Sequence, residues 1–95
     1  MNKTWYVYIA TNYNNNVLYT GITNNPERRI YEHKTNNAKS FSGRYRLYKI
    51  IWSQEFPSPT EAITAEKKIK GWTRAKKLKL IQSVNPLMKD VMTLR

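Results

Sequence analysis

Two short runs of β-branched and aromatic residues, WYVYIA from Trp5 and VLYTGI from Val17, flank the segment TNYNNN. Such runs suit well-covered strands, and asparagine tolerates the left-handed backbone of turns, so the spacing predicts a β-hairpin. Its register decides which side chains meet. An even number of loop residues places Tyr8 and Tyr19 on one face as near cross-strand neighbours, with Tyr6 joining them. An odd number splits the tyrosines across the sheet.

The second strand runs directly into a helix start. In YTGITNNPERRIYEH, Tyr19 and Gly21 close the strand, and Asn24, Asn25 and Pro26 punctuate. Asparagine accepts hydrogen bonds from the unpaired N–H groups of a helix start, and proline fits the first helical position. A helix from about Pro26 to Lys34 follows, in which Arg29 and His33 share one face and Ile30 turns to the core. The segment TNNAKSFSGRYR lacks periodicity and reads as a loop carrying Lys39, Arg44 and Arg46. A third strand is expected around Arg46 to Phe56, with Tyr48, Ile50 and Trp52 alternating against Leu47, Lys49 and Ile51.

Ser58-Pro59-Thr60-Glu61 is a capping-box pattern that opens a second helix. It should end near Gly71, a residue suited to the left-handed position after a helix. Thr73 can cap a third helix carrying Ala75, Leu78 and Ile81, stopped by Asn85-Pro86. The tail LMKDVMTLR is expected to dock in part. Ninety-five residues support one domain with one modest core. The expected class is therefore α/β (α+β), one domain spanning 1–95.

Charge narrows the partners. Seventeen Lys and Arg against six acids leave a formal charge of +11, an excess that favours a polyanion over a neutral metabolite. Lys67, Lys68, Lys70, Arg74, Lys76, Lys77 and Lys79 fall in one short run. Almost no acid interrupts it, so it reads as a surface that tracks phosphates without sequence preference. An anionic membrane is the competing partner, but no segment has the strongly apolar face of an interfacial helix and no apolar run is long enough to span. The N-terminus has no signal-peptide pattern, and the absence of cysteine excludes thiolate chemistry. A cytoplasmic location is the expectation.

Glu66 is conspicuous because Ala62, Ala65, Ile69 and Trp72 surround it with the three-and-four spacing of a core-facing stripe. A carboxylate there needs a partner. It is either an ion-pair partner for Arg28, Arg29 or a nearby lysine, or a metal ligand. Tyr6, Tyr8 and Tyr19 taken alone are ordinary core aromatics, and Arg29 with His33 an ordinary solvated face. If the hairpin, the first helix and Glu66 line one cleft, however, that cleft holds phenols, a guanidinium, an imidazole and a carboxylate. Those groups suit phosphoryl chemistry: arginine stabilises phosphate charge, a carboxylate holds a divalent ion, and a phenol or imidazole handles the proton of water.

These segments resemble the GIY-YIG endonuclease family, and most of all its small single-domain, excinuclease-subunit-like branch. The resemblance covers roughly residues 4 to 91. WYVYIATN stands at the first motif and LYTGIT at the second, followed by NNPERRIYEH; AEKKIKGWTRAKKLKLI and NPLMKDV look like the branch's downstream motifs. The resemblance implies a small three-stranded antiparallel sheet flanked by about three helices, and metal-assisted hydrolysis of DNA phosphodiester bonds. Tyr8 and Tyr19 match the motif tyrosines and Gly21 ends the second motif. Arg29 matches the catalytic arginine, His33 a histidine of many members, and Glu66 the glutamate that binds one Mg²⁺ or Mn²⁺. Asn85 resembles a late asparagine of part of the family. Tyr6 stands where the first motif has glycine, and Ile22 where excision-repair members carry a basic residue.

The resemblance further implies DNA, including branched or structured DNA, as substrate, with DNA repair or recombination as the setting. It also implies a protein partner that supplies target choice, because family nucleases usually take it from an attached domain. The rival expectation is a non-catalytic nucleic-acid-binding module that keeps the fold.

Overall fold

A computed structural model describes residues 4–12, 14–35 and 49–91 of the chain, with the side chains of residues 30 and 32–35 outside that description. Lys39, Arg44, Arg46 and the imidazole of His33, all expected at the site, therefore lie outside the described residues. Strand β1 (Trp5–Thr11) is followed by β2 (Leu18–Thr23), helix α1 (Pro26–Thr35), β3 (Lys49–Phe56), α2 (Pro59–Lys70) and α3 (Arg74–Val84). The three strands form one antiparallel sheet in the order β2-β1-β3. The class and architecture are those expected.

The central strand is buried from Val7 to Thr11, because neighbours cover both its edges and both its faces. On one face Val7 and Ile9 pack with Ile51, Trp52, Ala62, Ile69 and Ile81, so α2 and α3 share a single core with the sheet. On the other face Tyr8, Ala10 and Ile50 form a smaller cluster with Val17 and Tyr19. Each fully buried isoleucine of the main core contributes about 1.5–3 kcal/mol through removal of apolar surface from water.

The hairpin register settles the parity question. Thr11 pairs with Leu18, leaving residues 12–17, an even number, between the strands. Ala10 therefore faces Tyr19, Tyr8 faces Gly21 and Tyr6 faces Thr23, all on one side of the sheet. The loop is held by the Asn12 side chain, whose Oδ1 accepts from Asn16 N–H at 2.9 Å and Val17 N–H at 3.2 Å. Asn15 adopts the left-handed conformation at φ 60° that the asparagine-rich sequence anticipates.

The third strand departs from simple alternation. Ile9 pairs with Trp52 but Ala10 pairs with Ile50, so Ile51 is an extra residue, a β-bulge. Ile51 and Trp52 then both join the main core while Ile50 turns to the opposite face. The expected grouping of Ile50 with Trp52 is wrong for this reason, since a bulge shifts the period of two by one residue. A bulge also disturbs the backbone pairing around it. Asn85, a buried residue after α3, donates from Nδ2 to Ile51 O and to Lys89 O, each at 2.8 Å. Its Oδ1 accepts from Lys89 N–H at 3.1 Å.

The same tail covers the outer edge of β3. Val91 N–H donates to Ile50 O at 2.7 Å and Ile50 N–H donates to Asp90 Oδ1 at 3.4 Å. Edge strands need such cover to avoid pairing with other chains. The expected partial docking of the tail is thus realised through residue 91.

Both later helices start where the sequence places them. Ser58 Oγ accepts from Glu61 N–H at 3.3 Å, and Thr73 Oγ1 accepts from Lys76 N–H at 3.2 Å. The end of α2 differs from expectation. Gly71 has φ −81° and ψ −6°, a right-handed conformation. Its N–H is shared between Lys67 O and Lys68 O at 3.2 Å, and Trp72 N–H donates to Ile69 O at 3.0 Å. The helix thus ends in a tightened final turn, without a left-handed cap.

Asn85→Ala should destabilise the fold by about 2–4 kcal/mol, since it removes three hydrogen bonds and leaves the buried Ile51 carbonyl unpaired. Urea denaturation of the two proteins measures this directly.

Candidate active site

The site begins at the corner between β2 and α1. Thr23 Oγ1 accepts from Asn25 N–H at 3.0 Å, which fixes the chain entering the helix. Asn25 Oδ1 then accepts from Arg28 N–H at 3.1 Å, the N-cap that the asparagine-proline sequence predicts. This entry angle turns Arg28 to solvent and Arg29 toward the sheet, where it is half-buried. Arg29 Nε donates to Tyr8 Oη at 2.9 Å. The bond engages one of five guanidinium donors; the other four are carried on the terminal nitrogens.

Tyr8 itself is fully buried. Its ring lies across Gly21 on the neighbouring strand: a Cβ at residue 21 would stand 2.5 Å from both Cζ and Oη of Tyr8 and 3.0 Å from Cε2 of Tyr19. Glycine is required here by close approach, not by its backbone angles. The Tyr8 and Tyr19 rings are 6.3 Å apart between centroids and tilted by 51°. Tyr19 keeps partial exposure, so it is the phenol on the solvent side of the pair. Tyr6 occupies the same face by strand alternation, opposite Thr23.

Glu66 lies on α2, the helix over the main core, and only 12% of its side chain is exposed. Its partner is Lys70, one turn further along, with Nζ 2.7 Å from Oε2. The alternative of a nearby lysine is therefore the one realised, in preference to Arg28 or Arg29. The hydrogen bond to Glu66 holds the Lys70 ammonium above the usual lysine range, against the opposing effect of burial, and the charges of Glu66 and Tyr19 add to it. The helix that carries Glu66 packs on the main core, whereas Tyr8 and Tyr19 belong to the cluster on the other face of the sheet. Lys77 shifts the other way: loss of water around it, then repulsion from Lys70, lowers its affinity for the proton.

The basic run divides by what each cation touches. Arg74 donates from both terminal nitrogens to the hairpin loop, to Asn16 O at 3.1 Å and Asn15 O at 2.9 Å. It ties the start of α3 to the β1–β2 turn. Lys76 Nζ sits 4.4 Å from the centre of the Trp72 ring, a cation–π contact. Lys67, Lys68 and Lys79 are exposed and have no partner among the described residues. Sequence reasoning treated all seven cations alike and missed the roles of Lys70 and Arg74. The four-residue spacing from Glu66 to Lys70 was the available signal for the first; nothing local announces the second.

Among the described residues no three His, Cys, Asp or Glu side chains converge as a metal cage. Glu66 offers a single carboxylate. Such a single, mostly desolvated carboxylate fits a hard ion that takes its remaining ligands from water and phosphate, as Mg²⁺ and Mn²⁺ do. It does not fit a closed zinc or calcium site. A pocket lined by Thr4, Glu55, Phe56 and Pro57 involves none of these residues.

Tyr8 and Tyr19 thus meet over Gly21 on adjacent strands, and Tyr8 accepts from an arginine of the next helix. The family model described as the GIY-YIG catalytic domain matches residues 4–79, and the chain belongs to that family. It is 40% identical over 79 residues to UPF0213 protein VPA1222 of Vibrio parahaemolyticus, covering 82% of this chain and 73% of that one. It is 36% identical over 77 residues to UPF0213 protein SH2523 of Staphylococcus haemolyticus, covering 81% and 93%. The solution NMR structure of UPF0213 protein BH0048 from Bacillus halodurans superposes with a TM-score of 0.56 at 29% identity, over 88% of each chain. No helix among the described residues is long and apolar enough to cross a membrane.

The two glycines should respond oppositely to alanine. At Gly71 a Cβ meets only Lys68 O and Lys67 O at 3.6 and 3.7 Å, so Gly71→Ala is expected to be neutral or stabilising by about 0.4–1 kcal/mol. Gly21→Ala must displace both tyrosine rings and should cost about 1–3 kcal/mol. Thermal melts of the two variants, with near-ultraviolet circular dichroism to follow the tyrosines, check the contrast.

Proposed function

We propose that this domain hydrolyses DNA phosphodiester bonds with the help of one divalent cation. The observation that carries the reading is the bond from Arg29 to the buried Tyr8, packed over Gly21. It fixes a half-buried guanidinium by its Nε, and a guanidinium is the side chain best shaped to contact a phosphate through two oxygens. Arg29 binds the scissile phosphate and stabilises the charge that builds on it. Tyr8 is a positioning residue in this reading: it is shut away from water and acts by fixing Arg29. Tyr19, on the solvent side, orients the attacking water. Tyr19 or His33, one helical turn beyond Arg29, takes the water's proton, and the pH–rate profiles of Tyr19→Phe and His33→Gln distinguish the two.

Glu66 holds the Mg²⁺ or Mn²⁺ ion, which when bound supplies Lewis-acid charge at the phosphate oxygens. Lys67, Lys68 and Lys79 grip the DNA backbone, together with the loop cations Lys39, Arg44 and Arg46. Such contacts confer no sequence preference. Target choice then falls to the shape of branched or nicked DNA or to a protein partner, in repair or recombination in the cytoplasm.

One observation favours the rival reading of a binding module without cleavage. Glu66 is already neutralised by Lys70, as a purely structural carboxylate would be. Branched, nicked and linear DNA incubated with the protein and Mg²⁺ or Mn²⁺ separates the two. Cleavage is expected, and Glu66→Gln or Arg29→Ala should reduce it by roughly 10²–10³-fold while DNA binding persists. Wild-type protein that binds DNA but cuts none of these substrates with either ion would exclude the nuclease reading.

A further inference from the structure

The Glu66–Lys70 pair is asymmetric in a way that a surface ion pair is not. The carboxylate is 12% exposed and the lysine side chain 57% exposed. The ammonium therefore comes down on Glu66 from the solvent side, at the end of a flexible four-carbon stem. It takes Oε2 at 2.7 Å, so its charge stands directly beside the carboxylate that another cation would bind. Two cations within a few ångströms of one another repel, and the effect grows away from bulk water. Lys77, half-buried on the next helix, is near enough for its charge and that of Lys70 to oppose one another. A phosphate close to both ammonium groups would offset that opposition and compete with Glu66 for Lys70.

We propose that Lys70 gates the Glu66 carboxylate: its ammonium and a divalent cation exclude one another there, and a DNA phosphate that attracts Lys70 opens the carboxylate to the ion. This rests on the reading of Glu66 as the metal ligand. Lys70 is then a specificity-determining residue for the order of assembly. DNA raises the affinity for the ion, and the ion raises the affinity for DNA by the same factor. In the absence of DNA the carboxylate stays closed to stray cations.

Titration calorimetry with Mn²⁺ alone, on the whole chain and without DNA, tests the gate. Lys70→Met should bind Mn²⁺ about 10-fold more tightly than wild type, a coupling of ordinary size for linked sites. Lys70→Arg, which keeps the charge, should stay at the wild-type level, and Glu66→Gln should lose the site. Lys70→Gln serves as a second neutral variant if circular dichroism finds Lys70→Met misfolded. Equal or weaker binding by the neutral variants overturns the gate and leaves Glu66 as a ligand. A gain by Lys70→Arg equal to that of Lys70→Met also overturns it, since charge is then not what excludes the ion. No Mn²⁺ binding by wild type or by either neutral variant overturns the ligand reading and the gate together.

Discussion

The hydrogen bond from Arg29 to Tyr8 over Gly21 is the interaction on which the proposed site depends. It joins three elements that are not consecutive in space by accident of sequence: the central strand, the edge strand of the hairpin and the helix that leaves it. Each partner constrains the others. Gly21 must lack a side chain for the phenol to lie flat, the hairpin loop must be even for Tyr19 to stand beside it, and Asn25 must cap α1 for Arg29 and not Arg28 to reach inward. A phenol buried without a partner would be costly, and so would a half-buried guanidinium; the bond between them offsets part of both costs.

The opposite face of the sheet is organised for rigidity. Ile51 breaks the alternation of β3, which delivers both Ile51 and Trp52 to the main core, and Asn85 binds the carbonyl at the break. Through Lys89, Asp90 and Val91 the same turn covers the β3 edge. Arg74 ties α3 to the hairpin loop. The face that carries Tyr8, Tyr19 and Arg29 therefore sits on a sheet fixed from behind, and Asn85 links core, bulge and tail.

What the sequence made legible was local chemistry. Ser58 and Thr73 cap their helices and Asn25 caps the first, whereas the tyrosine parity needed the observed pairing of Thr11 with Leu18. Glu66 stands out because Ala62, four residues before it, and Ile69, three after it, are apolar. The bulge at Ile51 was not legible, because it is set by pairing with β1 and by the Asn85 side chain from a distant turn. Gly71 is right-handed because a left-handed cap is only one way to end a helix, and the short link to Thr73 uses a tightened final turn instead. The division between a buried Tyr8 and a half-exposed Tyr19 depends on which strand is central, a tertiary fact. The Glu66–Lys70 pairing was visible as a spacing, yet in a run of lysines the spacing alone does not single out one.

In the proposed function Tyr8 acts by holding Arg29, and does so before any substrate arrives. Hydrogen exchange of the Arg29 Nε–H, followed by ¹⁵N NMR in the protein alone, reads that bond directly. The account predicts slow exchange in wild type and fast exchange in Tyr8→Phe, whose ring fills the same space over Gly21 but has no oxygen to accept the proton. Exchange at the solvent rate in wild type, or equal protection in the two proteins, would contradict it.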